Sequence, residues 1–427
     1  MLQKEKAILI GVKIGKQYHF NESMNELKDL ALSCDYEIVG QVEQNLREID
    51  KTFFIRSGKI EEIKSLTDDL EAELVIFNNE LSPSQLKNLV KVLKCSVKDR
   101  TALILEIFAR RARTREAKLQ IEMARMQYML PRLVGLYESL AQQTGGVGSK
   151  TRGSGEKELE LDRRKLERKI YELNKELETI NYERQIQRKK RSKSRLPTVA
   201  LVGYTNSGKS TLMNALLEVS QKPESKKVME KDILFATLDT SVRKITIPGY
   251  KDFLLSDTVG FISNLPHFLV KAFRSTLEEV KMADLLLHII DVSASDYEEQ
   301  MRVTGNTLQE IGASNIPVIN VFNKIDLTSE YKAKMINNRV FISAGKKVGL
   351  NLLLERINQE LLKKYIECHM FIPYNQGNLL SYLNDNAHIK SVRYENEGTL
   401  LNLECLENDY KRFHKFVCVK FSHIVNS

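Results

Sequence analysis

Eight consecutive residues hold the densest chemistry in this chain: Gly203-Tyr204-Thr205-Asn206-Ser207-Gly208-Lys209-Ser210, a G-x-x-x-x-G-K-S pattern. Glycines at its two ends let the amide N–H groups of such a loop wrap a phosphate chain. Lys209 would then reach the β- and γ-phosphates, and the Ser210 hydroxyl would ligate Mg2+. The flanking sequence supplies the context this needs. Thr198 to Val202 reads as a buried strand and Thr211 to Val219 as a helix, whose N-terminus adds a positive dipole end. Alone, the loop would accept any nucleoside triphosphate.

Three shorter patterns narrow the choice. Asp257-Thr258-Val259-Gly260 follows the strand-like Lys251 to Ser256. Asp257 at a strand end can hold Mg2+ through water, and the Gly260 amide can meet a γ-phosphate and release when it is lost. Asn323-Lys324-Ile325-Asp326 ends the apolar run Ile316 to Phe322. The Asp326 carboxylate can accept from both N1–H and N2–H2 of guanine, whereas adenine would leave it unpaired. Ser343-Ala344-Gly345, after the strand-like Arg339 to Ile342, suits a loop whose backbone N–H meets guanine O6. All four motifs fall where open α/β sheets bind ligands, at the C-terminal ends of strands. They predict GTP as substrate and GDP as product.

Between the phosphate loop and Asp257 lies Phe235-Ala236-Thr237-Leu238-Asp239-Thr240. A switch loop needs a hydroxyl that joins the Mg2+ shell only when the γ-phosphate is present, and Thr237 and Thr240 both qualify. After Gly260 come Phe261 and Ile262, where many GTPases place a glutamine that orients the attacking water. Phenylalanine can neither donate nor accept a proton. Intrinsic hydrolysis is therefore expected to be slow and to be accelerated by a partner, with Lys209, Thr237 and Gly260 acting directly on the phosphates.

The elements that must position these residues fit a multidomain α/β chain. Its 427 residues, 42% hydrophobic, suffice for about two to four domains. Expected borders are an N-terminal α/β domain over 1–105, a helical hairpin over 106–192, a linker over 193–197, a P-loop domain with a mostly parallel sheet over 198–367, and a small C-terminal α+β domain over 368–427. Ser82-Pro83-Ser84-Gln85 reads as N-cap, N1 proline and capping-box glutamine of a helix through Leu93. No apolar run approaches the ~20 residues of a membrane span, and the charged start Met1 to Lys6 resembles no signal peptide. Five dispersed cysteines without a CxxC pair argue for a reducing compartment and against a zinc site. A cytoplasmic location is expected, with peripheral membrane association left open and no stable membrane insertion.

Residues 111–196 contain 22 Lys+Arg against 12 Asp+Glu, a surplus that accounts for the whole net charge of +9. Within them Leu119, Met123, Met126, Leu130, Leu133, Tyr137 and Leu140 form one heptad seam. Leu159, Leu166, Leu173 and Ile180, with Ile170 and Leu177, form a second. The two helices would pair antiparallel around a glycine-rich tip over 145–155, with Pro131 kinking or interrupting the first. Lys150 and Arg152 in that tip are candidate phosphate donors, so the arm is expected to meet a polyanion, with nucleic acid the favoured class; no DNA partner is expected.

Beyond these readings, the chain resembles the HflX-type GTPases of the Obg-like group. Besides the phosphate loop, the likeness rests on Leu81-Ser82-Pro83-Ser84-Gln85, Asp99-Arg100-Thr101, Arg111-Ala112-Arg113-Thr114-Arg115-Glu116, Tyr128-Met129-Leu130-Pro131-Arg132-Leu133, Asp162-Arg163-Arg164 and Phe235-Ala236-Thr237-Leu238-Asp239. The family's tip usually reads TRGPGE; here Ser154 replaces the proline. The resemblance favours Thr237 over Thr240 as the Mg2+ ligand and makes the missing glutamine a family trait. It implies a monomeric factor that binds the large ribosomal subunit through rRNA and splits, rescues or recycles ribosomes. The alternative is a GTP-sensing module that docks a protein or a membrane surface through its hairpin.

Overall fold

The computed structural model describes residues 4–15, 19–143, 152–192, 196–220, 241–258, 260–262, 269, 279–329, 331–363 and 365–420. The first sheet is parallel, in the order β2-β1-β3-β4: β1 (Lys6–Ile14), β2 (Glu37–Leu46), β3 (Leu74–Phe77) and β4 (Ser96–Asp99). Alternate residues feed two cores. Ala7, Leu9, Leu74 and Ile76 pack against α1 (Phe20–Ser33) and α4 (Arg100–Arg111), while Ile8, Ile10, Val75 and Phe77 face α2 (Ser57–Asp69) and α3 (Pro83–Leu93). The capping box at Ser82 forms as expected: Gln85 N donates to Ser82 Oγ at 3.3 Å, and Ser82 N donates to Gln85 Oε1 at 3.0 Å. The expected border at 105/106 falls inside α4, whose buried face belongs to this first body.

The hairpin is α5 (Arg115–Gln143) and α6 (Arg152–Ser192), antiparallel, with ion pairs Arg115–Glu176 and Lys169–Glu122 across it. Pro131 does not interrupt α5, which continues past it. A proline removes the bond to the carbonyl of Gln127, and the turn is held instead from the side, where Arg132 Nη1 donates to the Tyr128 carbonyl at 2.9 Å and Nη2 to Asp99 Oδ2 at 3.1 Å. The seams are only part of the packing. Ala117, Ile121, Ala124 and Tyr128 form another buried stripe on α5, set into the α1–α4 core beside Leu173 and Leu177 of α6.

A seven-stranded sheet follows, in the order β10-β11-β9-β8-β5-β7-β6. It comprises β5 (Thr198–Gly203), β6 (Ser241–Ile245), β7 (Phe253–Asp257), β8 (Leu285–Asp291), β9 (Val318–Asn323), β10 (Lys334–Ile336) and β11 (Arg339–Phe341). Only the edge strands β6 and β10 run antiparallel. Its helices include α7 (Lys209–Val219), α8 (Tyr297–Glu310) and α9 (Leu350–Leu362). The last sheet is antiparallel, β13-β14-β12-β15, built from β12 (Tyr365–Pro373), β13 (His388–Glu395), β14 (Gly398–Leu406) and β15 (Val417–Lys420). The border expected at 367/368 therefore lies inside β12. Among the described residues no helix is long and apolar enough to cross a membrane.

Candidate nucleotide site

The phosphate loop leaves β5 at Gly203 and enters α7 at Lys209. Gly208 sits at φ 94°, and a Cβ there would stand 2.2 Å from Asn323 Nδ2. The room is taken by the Asn323 amide: Asn323 Nδ2 donates to the Ser207 carbonyl at 2.9 Å, and Asn323 Oδ1 accepts from Ala344 N at 2.9 Å. One buried amide thus staples the phosphate loop, the β9 end and the loop after β11 into a single surface. Sequence reading grouped these motifs by order and missed the staple.

At the phosphate end Ser210 Oγ donates to Asp257 Oδ2 at 2.9 Å, and Asp257 is fully buried at the end of β7. Thr258 Oγ1 donates to the Leu201 carbonyl at 2.6 Å and ties the start of the next loop to β5. The hydroxyls of Thr205 and Ser207 are buried with no hydrogen-bond partner among the described residues. A buried carboxylate, a serine hydroxyl beside it and two unsatisfied hydroxyls are a donor set that fits a polyphosphate with Mg2+. Gly260 lies against the same loop, where a Cβ would fall 2.9 Å from Thr205 Cα and 3.0 Å from Lys209 Nζ.

Phe261 is turned away from this chemistry. Its backbone bonds the loop on both sides, with Thr205 N to Phe261 O at 2.7 Å and Phe261 N to Gly203 O at 3.1 Å. Its ring packs with Ala200, Val202, Val280 and Leu286 in the core beneath the sheet. Position 261 therefore anchors the backbone after Gly260 to the loop over 203–210, and its ring offers no group that orients water.

At the base end Asp326 is exposed on the turn Ile325–Leu327 after β9. Lys324 adopts φ 64° and pairs with Asp291 Oδ2 at 2.7 Å, and Ile325 N donates to the Ile342 carbonyl at 3.3 Å. Ser343 Oγ accepts from Lys346 N at 3.1 Å and closes the turn that carries Ala344 and Gly345. Phe235, Ala236, Thr237, Leu238, Asp239, Thr240, Val259 and Lys150 lie outside the described residues; Arg152 is the first residue of α6. The residue sequence reading missed altogether is Glu26, whose Oε1 accepts from Tyr204 Oη at 2.5 Å. Nothing in α1 sets this glutamate apart from a solvent-facing one.

Lys209 is buried, with Nζ donating to the carbonyls of Gly203 (3.1 Å) and Tyr204 (2.6 Å). Burial lowers its pKa to about 8, against the opposing pull of Asp257. The sign follows for binding. Below about pH 8 the ammonium is already present; above it, the group must take up a proton to face phosphate. GDP affinity is expected to be flat from about pH 7 to 8 and then to fall by up to about tenfold per pH unit. Titration calorimetry at pH 7, 8 and 9 checks this, and an affinity unchanged at pH 9 would contradict it.

The G-x-x-x-x-G-K-S loop, the buried Asp257 beside Ser210 and the Asn323-to-Asp326 turn, stapled on one mostly parallel sheet, define a P-loop GTPase domain. The family model "50S ribosome-binding GTPase" matches residues 198–324, "GTP-binding GTPase N-terminal" matches 21–109 and "GTP-binding GTPase Middle Region" matches 111–191. The GTPase HflX of Caldanaerobacter subterraneus subsp. tengcongensis is 43% identical over 414 residues, 97% of this chain and 94% of that protein. The GTPase HflX of Escherichia coli (strain K12) is 36% identical over 402 residues, 93% and 92% of the two chains. A GTP-binding protein from Sulfolobus solfataricus, solved with GDP, is 28% identical, with 84% of this chain and 99% of that one covered and a TM-score of 0.43. This chain belongs to the HflX GTPase family and is a GTPase.

Proposed function

We propose that the chain is a GTP-driven switch that binds the large ribosomal subunit through rRNA and acts in splitting, rescuing or recycling ribosomes. The observation that carries this reading is one shared core. Tyr204 of the phosphate loop and Ile262 after Gly260 pack in the same apolar cluster as Tyr128, Leu173 and Leu177 of the basic hairpin. A change at the phosphates therefore has a packed route to the arm that holds the chain's surplus of positive charge. The match to a ribosome-binding family model and the kinship with HflX proteins support the choice of polyanion.

In this reading Lys209 and the amides of the loop over 203–210 hold the β/γ-phosphates, and Ser210 with Thr237 holds Mg2+, Asp257 acting through water. Mg2+, when bound, neutralises charge on the phosphate oxygens. Asp326 reads the guanine edge, with Lys324, Ile325 and the Ser343-Ala344-Gly345 turn shaping its pocket. Phe235 to Asp239 and Asp257 to Gly260 are the two switches, and Lys150 and Arg152 meet RNA at the hairpin tip. The protein works as a cytoplasmic monomer, with borders after α4, at 193–197 and before β12.

Co-sedimentation with 50S and 70S particles tests the proposal, in GTP-analogue and GDP forms, alongside GTP hydrolysis with and without ribosomes. The expected result is pelleting with the analogue form, loss of pelleting with rising salt, and at least about tenfold faster hydrolysis with ribosomes, because Phe261 cannot orient the attacking water. Light scattering of 70S particles reads splitting separately. Nucleotide-independent pelleting with unstimulated hydrolysis would overturn the ribosome reading. Salt-insensitive capture by an apolar contact would favour docking to a protein.

A further inference from the structure

The phosphate loop is held from outside its own sheet. Tyr204 Oη donates to Glu26 Oε1 on α1, and Arg100 at the start of α4 donates through Nη2 to Glu26 Oε2. Arg100 Nη1 in turn donates to Asn78 Oδ1 at 2.8 Å, and Asn78 Nδ2 to Ser23 Oγ at 2.9 Å. The Arg100 side chain is 3% exposed and that of Glu26 12%, so this is a desolvated ion pair and not a surface contact. Its polar atoms sit at the C-terminal end of the first parallel sheet, where β3 and β4 deliver Asn78 and Arg100.

Tyr204 is where this outside hold meets the phosphate chemistry. Its hydroxyl belongs to the α1–α4 side, while its carbonyl accepts from Lys209 Nζ at 2.6 Å. Tyr204 also pairs as a parallel bridge with Phe261, directly after Gly260. Freeing the side chain frees a backbone position that bears on both Lys209 and the Gly260 segment. Loop amides cradle phosphates well only when their position is fixed before binding, because ordering them afterwards subtracts from affinity.

We infer that Glu26 is a positioning residue for GTP turnover: a carboxylate from the first helix, held by Arg100, fixes the phosphate loop through the Tyr204 hydroxyl. The inference rests on the GTPase activity and needs no ribosome, so its outcome is separate from that of the ribosome reading.

The test uses the full chain with Tyr204→Phe, Glu26→Ala and the double variant, loaded with N-methylanthraniloyl-GDP and chased in a stopped-flow instrument. Protein concentration is set by active-site titration. Each single substitution is expected to speed GDP release by about fivefold to tenfold, the scale of one hydrogen bond to a charged group partly transmitted to the site. The double variant is expected to release no faster than the faster single, since both remove the same link. kcat/KM for GTP should fall further than kcat, as expected when the loss is in preorganised binding. A merely structural role would lower the unfolding temperature and the titratable fraction but leave the release rate of the remaining sites unchanged. Wild-type release from Tyr204→Phe overturns the inference, as do single effects that multiply in the double variant. Should Glu26→Ala fail to fold, Tyr204→Phe decides alone, because it keeps the buried ring and removes one oxygen.

Discussion

Asp326→Asn is expected to weaken GTP binding by about 10²- to 10⁴-fold and to transfer hydrolysis to xanthosine triphosphate. Guanine presents two donors, N1–H and the 2-amino group, and a carboxylate accepts both. The amide of Asn accepts one and sets its own N–H2 against the other, leaving two donors face to face. Xanthine keeps N1–H and replaces the amino group by a carbonyl, which the amide can satisfy. Because Asp326 is exposed on its turn, the substitution should leave the unfolding transition in place and alter recognition alone. Equilibrium binding of GTP and xanthosine triphosphate to both proteins makes the comparison. If the variant binds GTP within threefold of wild type, Asp326 does not read the base.

The other large effect concerns stability. Asp99 is fully buried and accepts four hydrogen bonds: from Ala102 N (2.8 Å) as the α4 N-cap, Tyr128 Oη (2.9 Å), Leu81 N (3.3 Å) and Arg132 Nη2 (3.1 Å). The Arg132 guanidinium lies 3.5 Å over the Tyr128 ring and donates to the Leu81 carbonyl at 2.9 Å. Asp99→Ala removes a cap and leaves a cation stranded in the interior, a loss of about 3–5 kcal/mol. The first melting transition should drop by roughly 6–20 °C. Asp99→Asn keeps an oxygen for the cap and the tyrosine and is expected to lose less. A pair replaced together, Asp99→Asn with Arg132→Met, should recover part of the loss, since no lone charge remains buried. Scanning calorimetry on the three variants checks the order. An Asp99→Ala transition within 2 °C of wild type would show that the group is not the joint it resembles.

The parts legible in the sequence were those with a short-range cause. The phosphate loop, the β9 end at Asn323 and the Ser82 capping box are local geometries written by neighbouring residues, and each stands where its pattern predicts. Strand β3 matches the expected run Leu74 to Phe77 because a covered parallel strand needs a continuous apolar stretch. What escaped was set by packing between distant segments. The heptads on α5 read as a two-helix seam, but Ala117, Ile121, Ala124 and Tyr128 lie on another face, in one apolar cluster with α4 and with α1 residues some ninety positions upstream. Pro131 predicted a break because a helix alone would suffer one; α5 continues because its flank is tied into the first body by Tyr128 and Arg132 on Asp99. Phe261 stands in the sequence where many GTPases have a glutamine, yet its burial beneath the sheet needed the core to be seen. Glu26 left no trace at all, since its meaning depends on a tyrosine 178 positions away.

Asp99 and Arg100 are chain neighbours that grip opposite things: Asp99 holds the middle of α5 through Tyr128 and Arg132, and Arg100 holds the carboxylate against which the phosphate loop rests. One peptide bond is thus the pivot of a lever. The long arm is the part of α6 from Arg152 to the buried Leu173, about 30 Å of rod at 1.5 Å per residue, so a tilt of about 5° at its held end sweeps the far end through about 3 Å. Sub-ångström adjustments at a phosphate become displacements the width of a side chain at a distance no direct contact could span. The length of the hairpin is then a gear ratio, and shortening both helices by whole heptads should scale the stroke in proportion while the nucleotide chemistry stays the same.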